Sequence, residues 1–469
     1  MHAAATLQST GAALALALGA AKLVRWWLLS RLLGGLDNVV GYSARVIAAA
    51  RALENERDKP LVCDALAADL AGARALKQAR MRAASLSMAS PQGQEAPSMP
   101  GDAVPKPRVT RLVMRTLYFD DALRVALGQH HRAQAAALRS LAQEAGHGVG
   151  CSQVVLLGAG MDTRAWRLPL ASSAGPSDDG VSTDPRRANG TRPQPVRTWP
   201  SPSAGAHVAW FEVDQADVLA VKQRVLRRLG ASFVPTPVGQ NSAPRGLRAL
   251  ATRAARRSIR HPLQSARYSA VAADLQVPGW SRALVAAGFN PSAATVWVLE
   301  GLLYYLQPHS VPGMIQECAR VSGPGSVLVA SSVSQEMVDS LAKRPGPRRA
   351  DDIMAEFKWG LPGLPDQWPA FFLDLGWRVL GLPQWTHLAE EYGLQPWLPQ
   401  PPAAQAAAPD ANLLGATQQQ GPPAEVEAEV QAKGVRQEVA TTNTVPRLVY
   451  ATCVLDNTQL TSAAAAHAP

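Results

Sequence analysis

The chain has 469 residues, 47% of them hydrophobic, with 37 Pro, 36 Gly and a formal net charge of +10. That apolar content excludes a chain without a core, and the length suits one α/β domain swollen by Pro- and Gly-rich insertions. Cys63, Cys151, Cys318 and Cys453 lie far apart without a CxxC, which excludes a disulfide framework and points to free or buried thiols in a reducing compartment.

Residues 1–36 carry no Asp or Glu. Gly11 to Ala21 is apolar, and Lys22, Arg25 and Arg31 follow it among Trp26, Trp27 and several leucines. A secretory signal would carry its positive charge ahead of the apolar run. A membrane span would bury Lys22 and Arg25 near its middle. Residues 1–38 are therefore expected to form an extension that acts as an organellar (chloroplast or mitochondrial) transit segment. The alternatives are a membrane anchor or interfacial helix, or the plain first helix of a cytoplasmic protein.

Residues 39–128 have helical texture. Apolar positions recur at helical spacing from Val39 to Lys77 and again from Arg111 to Gly128, with a Pro-, Gly- and Ser-rich insertion at 85–107. His130-His131 has no further ligand at metal spacing, so no metal site is predicted.

The most informative stretch is Gln153 to Leu168, QVVLLGAGMDTRAWRL. Val154 to Leu157 suits a strand buried on both faces. Gly158-Ala159-Gly160 permits a tight turn and close backbone approach to a ligand. Asp162 and Thr163 are helix-starting residues, and the helix is expected to run from Arg164 to Leu168. A strand, a glycine turn and a helix N-terminus make the nucleotide-binding corner of a doubly wound sheet. Thr163 replaces the third glycine of the dinucleotide fingerprint, which weakens an NAD(P) reading and favours a nucleoside ligand without a pyrophosphate.

A Ser-, Pro- and Arg-rich loop at 171–205 follows. HVAWFEVD, 207–214, is then a second strand ending in Asp214. Asp214 lies 54 residues beyond Gly160; without the 35-residue loop the separation is 19, near the spacing at which Rossmann units place a ribose-binding acid. Ala216 to Leu229 reads as a helix and 235–265 as an insertion, with a basic helix at Arg245 to Arg260. Tyr268 to Leu275 is a third strand ending at Asp274, and Thr295 to Leu306 a fourth that breaks at Glu300. An acid inside so apolar a run is costly unless it is paired or faces a ligand. Further strands are expected at Ser326–Val333, Gly376–Leu380 and Leu448–Leu455. A low-complexity insertion fills 399–440, and a tail follows from 456. From Asp217 to Asp274 there is no acid but there are eleven Lys or Arg, either a solvated face or a contact for an anionic membrane, nucleic acid or acidic partner.

Four strand ends thus offer a glycine turn or an acid to one crevice: Gly158 to Gly160, Asp214, Asp274 and Glu300. Three carboxylates suit a ligand with ribose hydroxyls, an exocyclic amine and a cationic amino acid end, which S-adenosylmethionine (SAM) has. The strings ARALENERDKPLVCDALAADLAG, RTLYFDDAL, GAGMDTRAWRL, FEVDQADVLAVK, AADLQVPGW and EGLLYYL, in that order, resemble the leucine carboxyl methyltransferase family, particularly its bacterial-type branch. The resemblance covers roughly 43–455 outside the insertions.

It implies a class I SAM-dependent methyltransferase of residues 129–455, with a Rossmann-like seven-stranded sheet in the order 3-2-1-4-5-7-6, strand 7 antiparallel, and an N-terminal helical lid. Gly158, Ala159, Gly160 and Asp162 would cradle the methionine part of the cofactor, Asp214 the ribose, and Asp274 with Leu275 the adenine. Glu300 would lie near the amino end, and Arg115 would pair with the carboxylate. The expected partner is a methyl acceptor, a protein carboxylate or a small molecule; no specific nucleic acid is implied. Methyl transfer to a carboxylate needs no base and works by positioning; a hydroxyl acceptor would need one, and no catalytic residue is named beyond Glu300 as a candidate. Two rival readings remain: an NAD(P)-dependent oxidoreductase on a similar sheet, and a SAM-binding protein that docks a partner without catalysis.

Overall fold

A computed structural model describes residues 39–88, 108–129, 134–145, 150–169, 208–235, 259–344, 352–396 and 448–456. The expectations for 1–38, for His130-His131, for the loops at 171–205 and 399–440 and for most of the basic run lie outside these residues.

Seven strands build one sheet: β1 (Gln153–Leu157), β2 (Ala209–Asp214), β3 (Arg267–Ala272), β4 (Thr295–Leu299), β5 (Val327–Val333), β6 (Trp377–Gly381) and β7 (Leu448–Leu455). Their order across the sheet is β3-β2-β1-β4-β5-β7-β6. The first five pair in parallel; β7 enters between β5 and β6 and runs antiparallel to both. This is the order expected from the sequence.

Why these segments are central strands is visible in how their side chains divide. Val154, Leu156, Trp210, Val296 and Val298 pack into a core on one face. The residues between them, Val155, Leu157, Phe211, Trp297 and Leu299, pack into a second core on the other. A strand buried on both sides cannot show polar–apolar alternation, so each reads as a continuous apolar run.

Helices cover both faces. Helices α1 (Val39–Glu54), α2 (Ala67–Met88), α3 (Arg111–Ala126), α4 (Ala136–Ala145) and α6 (Ala216–Arg228) flank the first core. Between α4 and α6 lies the single turn α5 (Arg164–Arg167). Helices α7 (Ser281–Ala286), α8 (Val311–Arg320) and α10 (Trp368–Asp374) flank the second; α9 (Gln335–Ala342) and α11 (Trp385–Glu391) follow β5 and β6. The described helices before β1 therefore share the sheet's own core.

Several boundaries differ from those read in the sequence. The helical texture of 39–77 is two helices with a break at 55–66, because the Asn55 side chain donates to the Asp64 carbonyl, accepts the Asp64 N–H and closes a turn. The insertion drawn from residue 85 starts later, since α2 continues to Met88. The insertion drawn over 235–265 is shorter at its far end. Ala231–Pro235 and His261–Leu263 pair as short parallel strands, with Leu263 buried in the first core. A small strand contact also joins Arg108–Val109 to Gln395–Pro396. Among the described residues no helix is long and apolar enough to cross a membrane. The four cysteines are unpaired, with Cys63 exposed and the others buried.

Candidate active site

The carboxyl ends of β1 to β4 open into one cavity of about 300 Å³, lined by Gly158 to Asp162, Asp214, Asp274, Leu275, Glu300 and Arg115. Every site residue named from the sequence is on that lining. The volume lies at the lower end for ligand pockets.

The glycine turn is built for close approach. Gly158 and Gly160 adopt φ of +65° and +46°, where an L side chain is strained. A Cβ on Gly158 would stand 2.7 Å from Leu302 Cδ1, and one on Gly160 would stand 3.0 Å from Ala44 Cβ. The turn is tied to β2, since Gly158 donates its N–H to the Val213 carbonyl at 2.8 Å. Asp214 then accepts the N–H of Gly160 and of Gln215, both at 2.7 Å. Burial raises the Asp214 carboxyl above its ordinary value, and these two N–H groups hold it back only in part.

The expected helix after the turn is a single turn, Arg164–Arg167. Thr163 does not cap it, because its hydroxyl donates to Asp64 Oδ2 at 2.6 Å. The cap comes from Asp162, whose Oδ1 accepts the Arg164 N–H at 2.7 Å. Asp162 Oδ2 also pairs with the Arg164 guanidinium.

Arg164 is the centre of a buried ionic chain. Its guanidinium meets Asp120 Oδ1 at 2.6 Å and Glu300 Oε2 at 2.7 Å. Asp120 accepts Arg167 at 2.6 Å as well. Glu300 Oε1 accepts Arg115 Nε at 2.9 Å, and Arg115 Nη1 donates to the Tyr304 hydroxyl at 3.1 Å. Farther along, Arg51 joins Asp64 at 2.8 Å and donates to the Met161 carbonyl at 2.6 Å. Burial alone would raise the Glu300 carboxyl, but Arg164 and Arg115 outweigh it and hold it below the ordinary value. Asp162 is held down the same way, chiefly by Arg164. Asp120 falls well below the usual carboxylate range, because Arg167 and Arg164 overcome its burial. A carboxylate so paired stays ionised and is a poor proton acceptor, which does not favour Glu300 as a base.

The sequence did not single out Arg51, Asp64, Asp120 or Arg164. The only signal for them was an acid or Arg in a helix or helix-flanking segment, where no periodicity distinguishes a buried charge from a solvated one. Tyr304 and Tyr305 also line the cavity.

A Rossmann-like sheet with this strand order, a glycine turn after β1 and acids at the ends of β2 and β4 defines a class, the SAM-dependent methyltransferases. The leucine carboxyl methyltransferase family model matches residues 44–174 and 196–319, more than half of the chain, and the chain belongs to that family. The break in the match falls within the Ser- and Pro-rich loop. A relative from Streptomyces coelicolor, named an S-adenosyl-L-methionine-dependent methyltransferase, is 30% identical over 67% of this chain and 72% of its own. One of the same name from a Parafrankia species is 30% identical, covering 57% of each chain. Another, from Mycolicibacterium gilvum, is 26% identical over 77% of this chain and 91% of its own. A solved DUF574 family protein from Streptomyces avermitilis covers 73% of this chain and 90% of its own at 12% identity and a TM-score of 0.31, too loose a likeness to bear on the site. The protein is an S-adenosylmethionine-dependent methyltransferase, and S-adenosylmethionine is its cofactor.

Proposed function

We propose that the enzyme transfers the methyl group to a carboxylate oxygen. One observation carries this reading: the described acids that line the cavity, Asp162, Asp214, Asp274 and Glu300, all belong to the strand-end half, and among the described residues no histidine lines it. A hydroxyl acceptor needs a base beside it. A carboxylate is already ionised at neutral pH and needs only to be placed.

The residues present fit the cofactor. The cradle at Gly158 and Gly160 is open only because neither carries a Cβ. Asp214 keeps lone pairs beyond its two N–H bonds for ribose hydroxyls, and Asp274 with Leu275 sits where an adenine edge and face would lie. Arg115 would hold the amino acid carboxylate and Glu300 the ammonium, each already oriented by the other at 2.9 Å. When bound, the cofactor supplies an electrophilic methyl on a sulfonium. Transfer to a carboxylate would exchange the S–C bond for one O–C bond, leave the electron pair on sulfur and ask no residue of the cavity to move a proton.

The test is incubation of the full chain with methyl-labelled cofactor and a metabolite and protein extract. Label in a product that mild base hydrolyses is the expected result, because esters are base-labile. Label that survives base would replace the carboxylate reading with an ether or amine.

A further inference from the structure

We propose that the methyl acceptor is a small, free monocarboxylic acid with an apolar body, gripped through its carboxylate by Arg111 and Lys358. The proposal rests on the carboxylate-methylation reading and names the substrate class within it.

The cavity has two chemically distinct halves. Beyond the strand ends its walls come from α1, the start of α3, the turn after β4 and the 353–358 segment. Here Ile47, Leu112, Val333, Met337, Ile353 and Met354 face the cavity, and among the described residues no acid does. Tyr304, Tyr305 and Phe357 form an aromatic wall. Tyr304 and Phe357 lie 4.2 Å apart between ring centroids, and Tyr305 meets Phe357 edge-on at 5.4 Å. Such a surface binds flat or aliphatic carbon and repels a charged body.

Two cations line the same part of the cavity. Arg111 and Lys358 line the cavity and are exposed, and neither has a carboxylate within ion-pair distance among the described residues. The Arg111 guanidinium instead reaches the Met354 sulfur at 3.8 Å. Arg51, Arg115 and Arg164, which also line the cavity, all have carboxylate partners within 2.9 Å. Unpaired cations beside an acid-free apolar chamber describe the complement of an amphipathic anion. A forked guanidinium and an ammonium suit a carboxylate.

The occupant is small because room is short: the whole cavity, which the cofactor shares, holds about 300 Å³. Helix α1 packs directly against the 353–356 turn, and both line the cavity. A free acid suits the room that remains better than the tail of a folded protein does.

The experiment uses the full chain saturated with S-adenosylhomocysteine, whose binding is measured first by calorimetry. Acetate, octanoate, hydrocinnamate, hydrocinnamamide and a short peptide ending in a free carboxylate are then titrated. Octanoate and hydrocinnamate should bind more tightly than acetate, and the amide and peptide should bind weakest. The double variant Arg111→Gln, Lys358→Gln should lose at least about 10-fold in hydrocinnamate affinity, the scale of one charge-assisted hydrogen bond, with S-adenosylhomocysteine binding unchanged. Equal binding of acid and amide, preference for the peptide, or an unaffected double variant would each overturn the proposal. Acids that bind as expected but carry no base-labile label after turnover would leave the chamber in place and remove the carboxylate reading instead.

Discussion

The two halves of the cavity handle charge in opposite ways. In the half proposed to hold the cofactor, Arg51, Arg115 and Arg164 are locked to carboxylates, and the chain Arg115–Glu300–Arg164–Asp120–Arg167 is buried but for the slightly exposed Glu300. In the half proposed to hold the acceptor, Arg111 and Lys358 have no acid partner among the described residues and face apolar and aromatic walls. The first arrangement fixes geometry: each group is held by at least two others, so the glycine turn, α3 and the end of β4 move as one. The second leaves charge to be satisfied by what binds. A cofactor site must be the same at every turnover, whereas an acceptor site gains discrimination from groups that only the acceptor completes.

The comparison can be broken most forcefully at Asp120. Asp120→Ala would leave Arg164 and Arg167 buried without their shared acid, and breaking a buried pair from one side costs about 3–5 kcal/mol. A urea denaturation midpoint near that of the unaltered protein would show that the chain is not what ties the halves of the site together. A second prediction concerns pH. The Asp120, Asp162 and Glu300 carboxyls are lowered in the fold, so the stability they contribute is complete above their ordinary values of 3.8 and 4.5 and is lost as pH falls through the lowered ones. Asp214 and Glu212 are raised, chiefly by burial, and act with the opposite sign, their contribution fading as pH rises through the raised values. Thermal melts should therefore drop steeply on the acid side, and Asp120→Asn should flatten that drop; an identical acid limb in the variant would contradict the assignment.

Gly158→Ala is a smaller perturbation. It places an L residue at φ +65° and a Cβ against the flexible end of Leu302, for a cost of about 1–2 kcal/mol. Weaker cofactor binding in calorimetry should accompany it; unchanged affinity would mean the cradle is not where the ligand approaches. The smallest folding effect belongs to the acceptor half. Removing the charge of Arg111 or Lys358 should leave the denaturation midpoint where it is, and a loss of stability there would reveal a structural partner and erase the contrast.

Much of this architecture was legible in the sequence, and the parts that were not share a physical cause. Central strands are apolar on both faces, so VVLL and TVWVL stand out, and the turn or acid after each marks its carboxyl end. Glu300 was visible because it interrupts an apolar run. Asp120 and Arg164 sit in segments where charges are ordinary, and their partnership spans 44 positions in the chain. Glu300 and Arg115 are 185 positions apart. Pairing of that kind comes from topology and leaves no local pattern. The acceptor half was hidden for the same reason: Arg111, Tyr305 and Lys358 come from three separate segments and meet only once the sheet has formed. Thr163 does sit at the N-cap position, as its helix-starting chemistry suggests, but that its hydroxyl serves Asp64 instead of the helix end is not visible in a string.

Strand β7 also bears on the order in which the molecule can be made. It is the last described element, yet it lies inside the sheet, where among the described residues it supplies the sole strand partner of β6 and one of the two partners of β5. During synthesis neither β5 nor β6 can complete this pairing until Leu448–Leu455 has left the ribosome. For that interval both carry unpaired backbone edges, a state prone to association with other chains. A nascent chain halted before Leu448 should therefore call on chaperones far more than one released after Leu455.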